Sequence, residues 1–128
     1  IEGIPAALPA LVRAHRLAEK AARVGFDWPS SEAVLGKVDE ELGEVREAVE
    51  RGSREDVEEE LGDVMFALAS FARREGIDPE AALAKADAKF AGRFRAIERE
   101  ADRLGIKLED MSPEELNRLW RSTPDRGP

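Results

Sequence analysis

Two groups of acidic side chains carry most of the chemistry this chain could perform. Glu40, Glu41 and Glu44 lie within KVDEELGEV, and Glu59, Glu60 and Asp63 within EEELGDVMF. Positions three and four apart share one face of a helix, so Glu41 with Glu44, and Glu60 with Asp63, each present two carboxylates side by side. Like charges so placed repel by roughly 0.2 to 0.5 kcal/mol for each i,i+4 pair, which invites a compensating cation. Carboxylate oxygens are hard donors of the kind Mg²⁺ prefers, and four of them leave positions for water and for phosphate oxygens. Further along, Lys89 and Arg93 stand one helical turn apart around Phe90 and Phe94. An ammonium and a planar guanidinium can neutralise phosphate oxygens that a metal does not reach. Acid for metal and base for phosphate together imply a polyphosphate ester as ligand. The competing reading is a solvated helix face, which describes Asp56 and Glu58 better; for the paired clusters the residues alone leave both readings open.

These groups need helices to position them, and the helix signals are clear. The first helix is expected over about Pro9 to Val24, ended by Gly25, with Leu8, Leu11, Val12, Ala18 and Ala21 as its buried row. Ser30 or Ser31 caps a second helix running to about Glu50, with Val34, Val38, Leu42, Val45 and Val49 as its dry stripe. After Arg51 and Gly52, Ser53 with Asp56 resembles a capping box opening a third helix that ends near Gly76. Its stripe is Val57, Leu61, Val64, Leu68 and Phe71. So short a turn predicts an antiparallel hairpin in which both acidic groups face one space. Asp78 and Pro79 open a fourth helix reaching about Leu104, with Leu83, Ala86, Phe90, Phe94 and Ile97 apolar and the two phenylalanines in the core. Ser112, Pro113 and Glu115 start a short last helix containing Leu116, Leu119 and Trp120. The expected fold is all-α: an antiparallel bundle of four main helices plus a short C-terminal one.

Composition agrees. The 128 residues are 42% apolar and 38% charged, enough for one domain spanning residues 1–128 with its own core. A net charge of −8 opposes nucleic acid and anionic lipid, so no nucleic-acid or membrane partner is expected. With no Cys and a single His, thiolate zinc sites and histidine-rich metal centres are excluded, leaving oxygen ligation. No transmembrane run and no signal-peptide pattern is present, and a cytoplasmic location is expected.

The EExxE of Glu40, Glu41 and Glu44, followed by the ExxD of Glu60 and Asp63, resembles the signature of the all-α nucleoside triphosphate pyrophosphohydrolases, the MazG superfamily. LPALVRAHR, VGFDW, KVDEELGEV, EEELGDVMFAL, KADAKFAGRF and the terminal Trp120 extend the resemblance over nearly the whole chain, to the C-terminal catalytic domain of bacterial MazG proteins. The resemblance implies hydrolysis of a nucleoside triphosphate between the α and β phosphates, with Mg²⁺. It implies Glu41, Glu44, Glu60 and Asp63 as metal ligands. Lys37, Glu40, Glu59, Lys89, Arg93 and Trp120 would contact the nucleotide or organise the site. Lys89 and Arg93 would lie toward the phosphates and Trp120 near base or sugar, with Glu40 and Glu59 as the two candidate general bases. Asp56 departs from the basic residue that relatives often carry before the EEE run. The superfamily also implies a homodimer that completes the bundle. The opening IEGIP resembles the linker before the second domain of longer relatives, which fits either a fragment or a single-domain protein. A sibling enzyme acting on phosphoribosyl-ATP or dUTP, and a non-catalytic acidic adaptor, are the alternative functions.

Overall fold

Side-chain caps set the helix boundaries. In a computed structural model, which describes residues 1–123, helices α1 (Ala10–Arg23), α2 (Ser31–Arg51), α3 (Arg54–Arg74), α4 (Pro79–Leu104) and α5 (Pro113–Ser122) follow one another, with a 3₁₀ turn at Leu108–Asp110. There is no strand among the described residues. The Ser30 hydroxyl accepts the Ala33 amide at 3.1 Å, Ser53 accepts that of Asp56 at 3.3 Å, and Ser112 accepts that of Glu115 at 3.2 Å. Each satisfies one of the amides a helix start leaves unpaired. The Asp56 carboxylate turns to Arg51 instead, at 3.4 Å, so only half of the expected capping box forms. Gly52 adopts φ +72°, a left-handed conformation costly for residues bearing a Cβ, and reverses the chain between α2 and α3.

The described chain divides into two compact units, one over Ile1–Glu80 and one from Ala81 onward, with the boundary in the first turn of α4. In the first unit, α2 and α3 pack as a hairpin and α1 packs on α3. Both hairpin helices have 21 residues, a length of about 30 Å. Val34, Val38 and Ala48 of α2, and Val64, Ala67, Ala69 and Ala72 of α3, form most of the core. Small side chains let the two helices approach closely.

The expected stripes are corrected here. The buried row of α2 passes through Glu41 and Ala48, and Leu42 and Val49 are exposed. In α3, Leu61 and Leu68 are exposed while Ala67 and Ser70 are buried. Each helix carries two apolar rows, and the one with the smaller side chains is buried. In α1 no residue is fully buried, and its expected row is half-buried.

In the second unit, Ile97 and Ala101 of α4 are buried. Phe90 and Phe94, expected in the core, are instead exposed at 58% and 39%. They stack on each other with centroids 6.1 Å apart, and Phe90 meets Trp120 of α5 at 5.3 Å. The reason is local. Phe90 and Phe94 form one row, and α5 returns only far enough to touch it with a single indole.

A clamp holds the α1–α2 loop to the end of α3. The Arg73 guanidinium donates to Asp27 at 2.6 Å, and Arg74 donates to Asp27 at 3.2 Å and to the carbonyls of Trp28 and Pro29 at 2.8 and 3.0 Å. Burial pushes the Asp27 carboxyl up, but the Trp28 amide and the Arg73 and Arg74 charges outweigh it and hold it below its ordinary 3.8. A depressed carboxyl stabilises the fold fully above its unfolded value and loses that contribution as pH falls through the folded one. Asp27→Asn is therefore expected to lower stability at neutral pH by on the order of 1 kcal/mol, a few degrees in Tm. The gap to the parent should narrow as pH falls below the carboxyl's ordinary 3.8. Melting curves of both proteins from pH 7 to 2.5 check this.

Candidate functional site

The carboxylates converge because α2 and α3 pair across a short turn. Oxygen atoms of Glu41, Glu60 and Asp63 lie within 4.8 Å of one another. Opposite ligands of a six-coordinate Mg²⁺ are about 4 Å apart, so small rotations would bring these three onto one ion. Glu41 is buried to 8% exposure, Glu60 is half-buried and Asp63 opens to solvent. The cradle thus has a protein side and a wet side.

Its electrostatics fit a cation. Partial burial first, then the charges of Glu44, Asp63, Glu41 and Glu59, push the Glu60 carboxyl above its ordinary 4.5. Glu44 lies outside the triad of converging oxygens, yet it is the strongest charge acting on Glu60. Lys37 supplies a positive charge, with its ammonium 2.8 Å from Glu41 and 3.6 Å from Glu40. The Glu41 hydrogen bond, opposed by partial dehydration and aided by the Glu40 and Glu41 charges, raises Lys37 above 10.5. One ammonium against this many carboxylates leaves the site strongly negative. An all-oxygen donor set of this charge suits Mg²⁺ and offers nothing to a soft metal.

The remaining sequence-predicted residues fall as follows. Glu40 and Glu59 are exposed beside the triad, on the same two helices. Asp56, which stands where relatives often carry a basic residue, is paired with Arg51. Lys89, Arg93 and Trp120 belong to the second unit. There the Arg93 guanidinium lies 3.9 Å over the Trp120 ring, and its Nε and Nη2 donate to the Trp120 carbonyl at 3.2 and 2.5 Å. A cation–π contact and two hydrogen bonds thus fix Arg93 against Trp120.

Sequence reasoning missed a feature of the first unit. An apolar cavity of about 420 Å³ lies between α1, the α1–α2 loop and α3, walled by Leu17, Phe26, Trp28, Phe66 and Ser70. Only the Asp-Trp step in VGFDW, at the end of a helix, could have drawn attention to it. A larger open hollow of about 760 Å³, lined by Arg16, Lys20, Arg23 and Arg73 together with Glu19, Asp78 and Glu80, includes none of the hairpin carboxylates.

Fold and site together define an all-α domain built on an acidic helical hairpin. The chain belongs to the family of the MazG nucleotide pyrophosphohydrolase domain, whose model matches residues 30–98, the stretch holding α2, α3 and most of α4. It is 42% identical over 113 residues to the nucleoside triphosphate pyrophosphohydrolase/pyrophosphatase MazG of Thermotoga maritima, covering 88% of this chain and 43% of that protein. It is 39% identical over 125 residues to the nucleoside triphosphate pyrophosphohydrolase of Escherichia coli K12, covering 94% and 47%. The chain spans less than half the length of these curated relatives. No helix among the described residues is long and apolar enough to cross a membrane.

Proposed function

We propose that this chain hydrolyses nucleoside triphosphates between the α and β phosphates, giving the monophosphate and pyrophosphate, in cytoplasmic nucleotide-pool housekeeping or stress response. The observation that carries this reading is the convergence of Glu41, Glu60 and Asp63 inside the segment that matches the family. Glu41, Glu44, Glu60 and Asp63 would hold Mg²⁺. Bound there, the ion would polarise a phosphoryl group and acidify a water. The chain's own residues do the rest. Glu40 or Glu59, outside the triad, accepts the proton of the attacking water. Lys37 keeps Glu41 oriented and is a candidate contact for the nucleotide. Lys89 and Arg93 offset charge on the phosphates and on the departing pyrophosphate, with Arg93 held in place by Trp120, which serves the base or sugar end. A second copy of the chain completes the bundle as a homodimer.

Incubation with each common triphosphate and Mg²⁺ should yield monophosphate and pyrophosphate in equal amounts, and no product with EDTA. A nonhydrolysable triphosphate at a hundred times its Kd, with Mg²⁺, should stabilise the fold by about 2.7 kcal/mol. Release of orthophosphate and diphosphate would refute the bond assignment. No nucleotide-dependent shift in Tm would favour an acidic adaptor.

A further inference from the structure

We infer that the basic hollow beside α1 is an anion site separate from the acidic hairpin, and that it takes a small phosphate anion of the pyrophosphate kind. Charge segregation is the first argument. Helix α1 carries Arg13, Arg16, Lys20 and Arg23 against one carboxylate, Glu19, whereas α2 and α3 together carry thirteen carboxylates against six cations. Arg16, Lys20 and Arg23 are four and then three residues apart, so they fall within an arc of about 60° on one face of α1. Like charges in such a row repel, and a bound anion relieves all three at once.

That row lines a cavity. The hollow lies wholly within the first unit, bounded by α1, by Gly3 and Ile4, and by the turn from α3 into α4. Its volume of about 760 Å³ falls in the range of small-molecule sites, roughly 300 to 1,000 Å³. Arg73 joins the row from α3, so cations converge on the space from two helices. Of the carboxylates that line it, Glu19 is tied to Arg23 at 3.2 Å, Asp78 accepts the Glu80 amide at 3.0 Å, and Glu80 is exposed in the first turn of α4. Four cations against these three carboxylates leave a positive surplus in a chain of net charge −8.

The donors are also ready for use. The Lys20 ammonium donates to the Glu2 carbonyl, which orients it without neutralising it. Asp27 holds Arg73 at 2.6 Å but is shared with Arg74, so one carboxylate answers two guanidinium groups. The Arg16 side chain makes no hydrogen bond or ion pair among the described residues, which leaves its planar fork of N–H groups for a phosphate. Net charge opposes the approach of nucleic acid or an anionic membrane, whereas a two-phosphate anion fits inside the hollow. The hydrolysis proposed above releases such an anion, yet the site stands on α1 and α3 whether or not that reaction occurs.

The test is run in EDTA, where the carboxylate hairpin holds no metal and repels anions. Inorganic pyrophosphate is titrated into the unaltered protein while the ring resonances of His15 are followed; it is the single histidine of the chain and it lines the hollow. They should move saturably with a Kd of about 1 mM or tighter, and sulfate at equal ionic strength should act about tenfold more weakly. Arg16→Ala and Lys20→Ala should each weaken binding about fivefold or more, with kcat and KM for ATP and Mg²⁺ within about twofold of the parent. Arg16→Lys should keep part of the affinity. AMP in place of pyrophosphate separates two sources of the phosphate group: tighter AMP assigns the hollow to a monoester, tighter pyrophosphate to the free diphosphate, and either supports the site. His15 signals that stay still in pyrophosphate, or that move equally in sulfate, would overturn the proposal and leave the hydrolytic reading untouched. A variant that lost hydrolysis together with binding would overturn the separation of the two sites. The titration of the unaltered protein decides the matter even if a variant fails to fold.

Discussion

Asp63→Asn is expected to reduce kcat/KM for every triphosphate by about a thousandfold or more while leaving the helical fold intact. The expected activity loss corresponds to about 4 kcal/mol of transition-state stabilisation, on the scale of a lost electrostatic contact to the reacting group. The preserved fold follows from the site itself. Asp63 is exposed and adds to the charge that pushes the Glu60 carboxyl up. Removing its charge relieves repulsion, so the metal-free variant should melt no lower than the parent, and the rise in Tm on adding Mg²⁺ should shrink. Glu41→Gln should be as inactive, but with a stability cost, because Glu41 is buried and is the closer partner of Lys37. Steady-state kinetics and melting curves with and without Mg²⁺ separate the two. A Tm for Asp63→Asn well below the parent's would show that the residue holds the fold together, contrary to the metal-ligand reading.

Leu68→Glu is expected to convert a dimer into a monomer. Beside its buried row, α2 exposes Leu35, Leu42 and Val49, spaced by sevens, and α3 exposes Leu61, Met65 and Leu68. Rows this long are rare on monomeric surfaces. Burying a leucine-sized side chain yields roughly 1.5 to 3 kcal/mol, so six such side chains could sustain association even after its entropy cost is met. A carboxylate at position 68 would have to be buried unpaired, which few interfaces survive. Sedimentation velocity at micromolar concentrations should give a dimer for the parent and a monomer for the variant. A monomeric parent at tens of micromolar would overturn the dimer.

Helix positions were legible because this chain marks its helix starts with short-range signals. Ser30, Ser53, Asp78 with Pro79, and Ser112 each act within three residues of themselves, and the structure starts a helix after each of the three serines and at Pro79. The acidic triad was legible for the same reason, since i,i+3 spacing and a two-residue turn are local facts. Which apolar row is buried was not legible. Leu42 and Ala48 are equally acceptable to a helix, and only the close approach of a second helix selects the smaller side chains. Nor did spacing reveal the Asp27 clamp, whose partners Arg73 and Arg74 lie 46 and 47 residues away. The fixing of Arg93 beneath Trp120 depends on where α5 folds back, 27 residues on. Phe90 and Phe94 were misplaced because aromatic side chains at helical spacing usually mean burial, and here they form a surface row.

The hairpin turn has a consequence for which length changes this protein can accept. Counting outward from Gly52, Glu44 and Glu60 each stand eight residues away, and Glu41 and Asp63 each eleven. The two arms work like matched rulers with a common zero. Adding a single residue to one arm would swing its carboxylates about 100° around the axis and slide them about 1.5 Å, pulling them out of step with the other arm. Insertions and deletions should therefore be lethal to activity anywhere between residues 41 and 63.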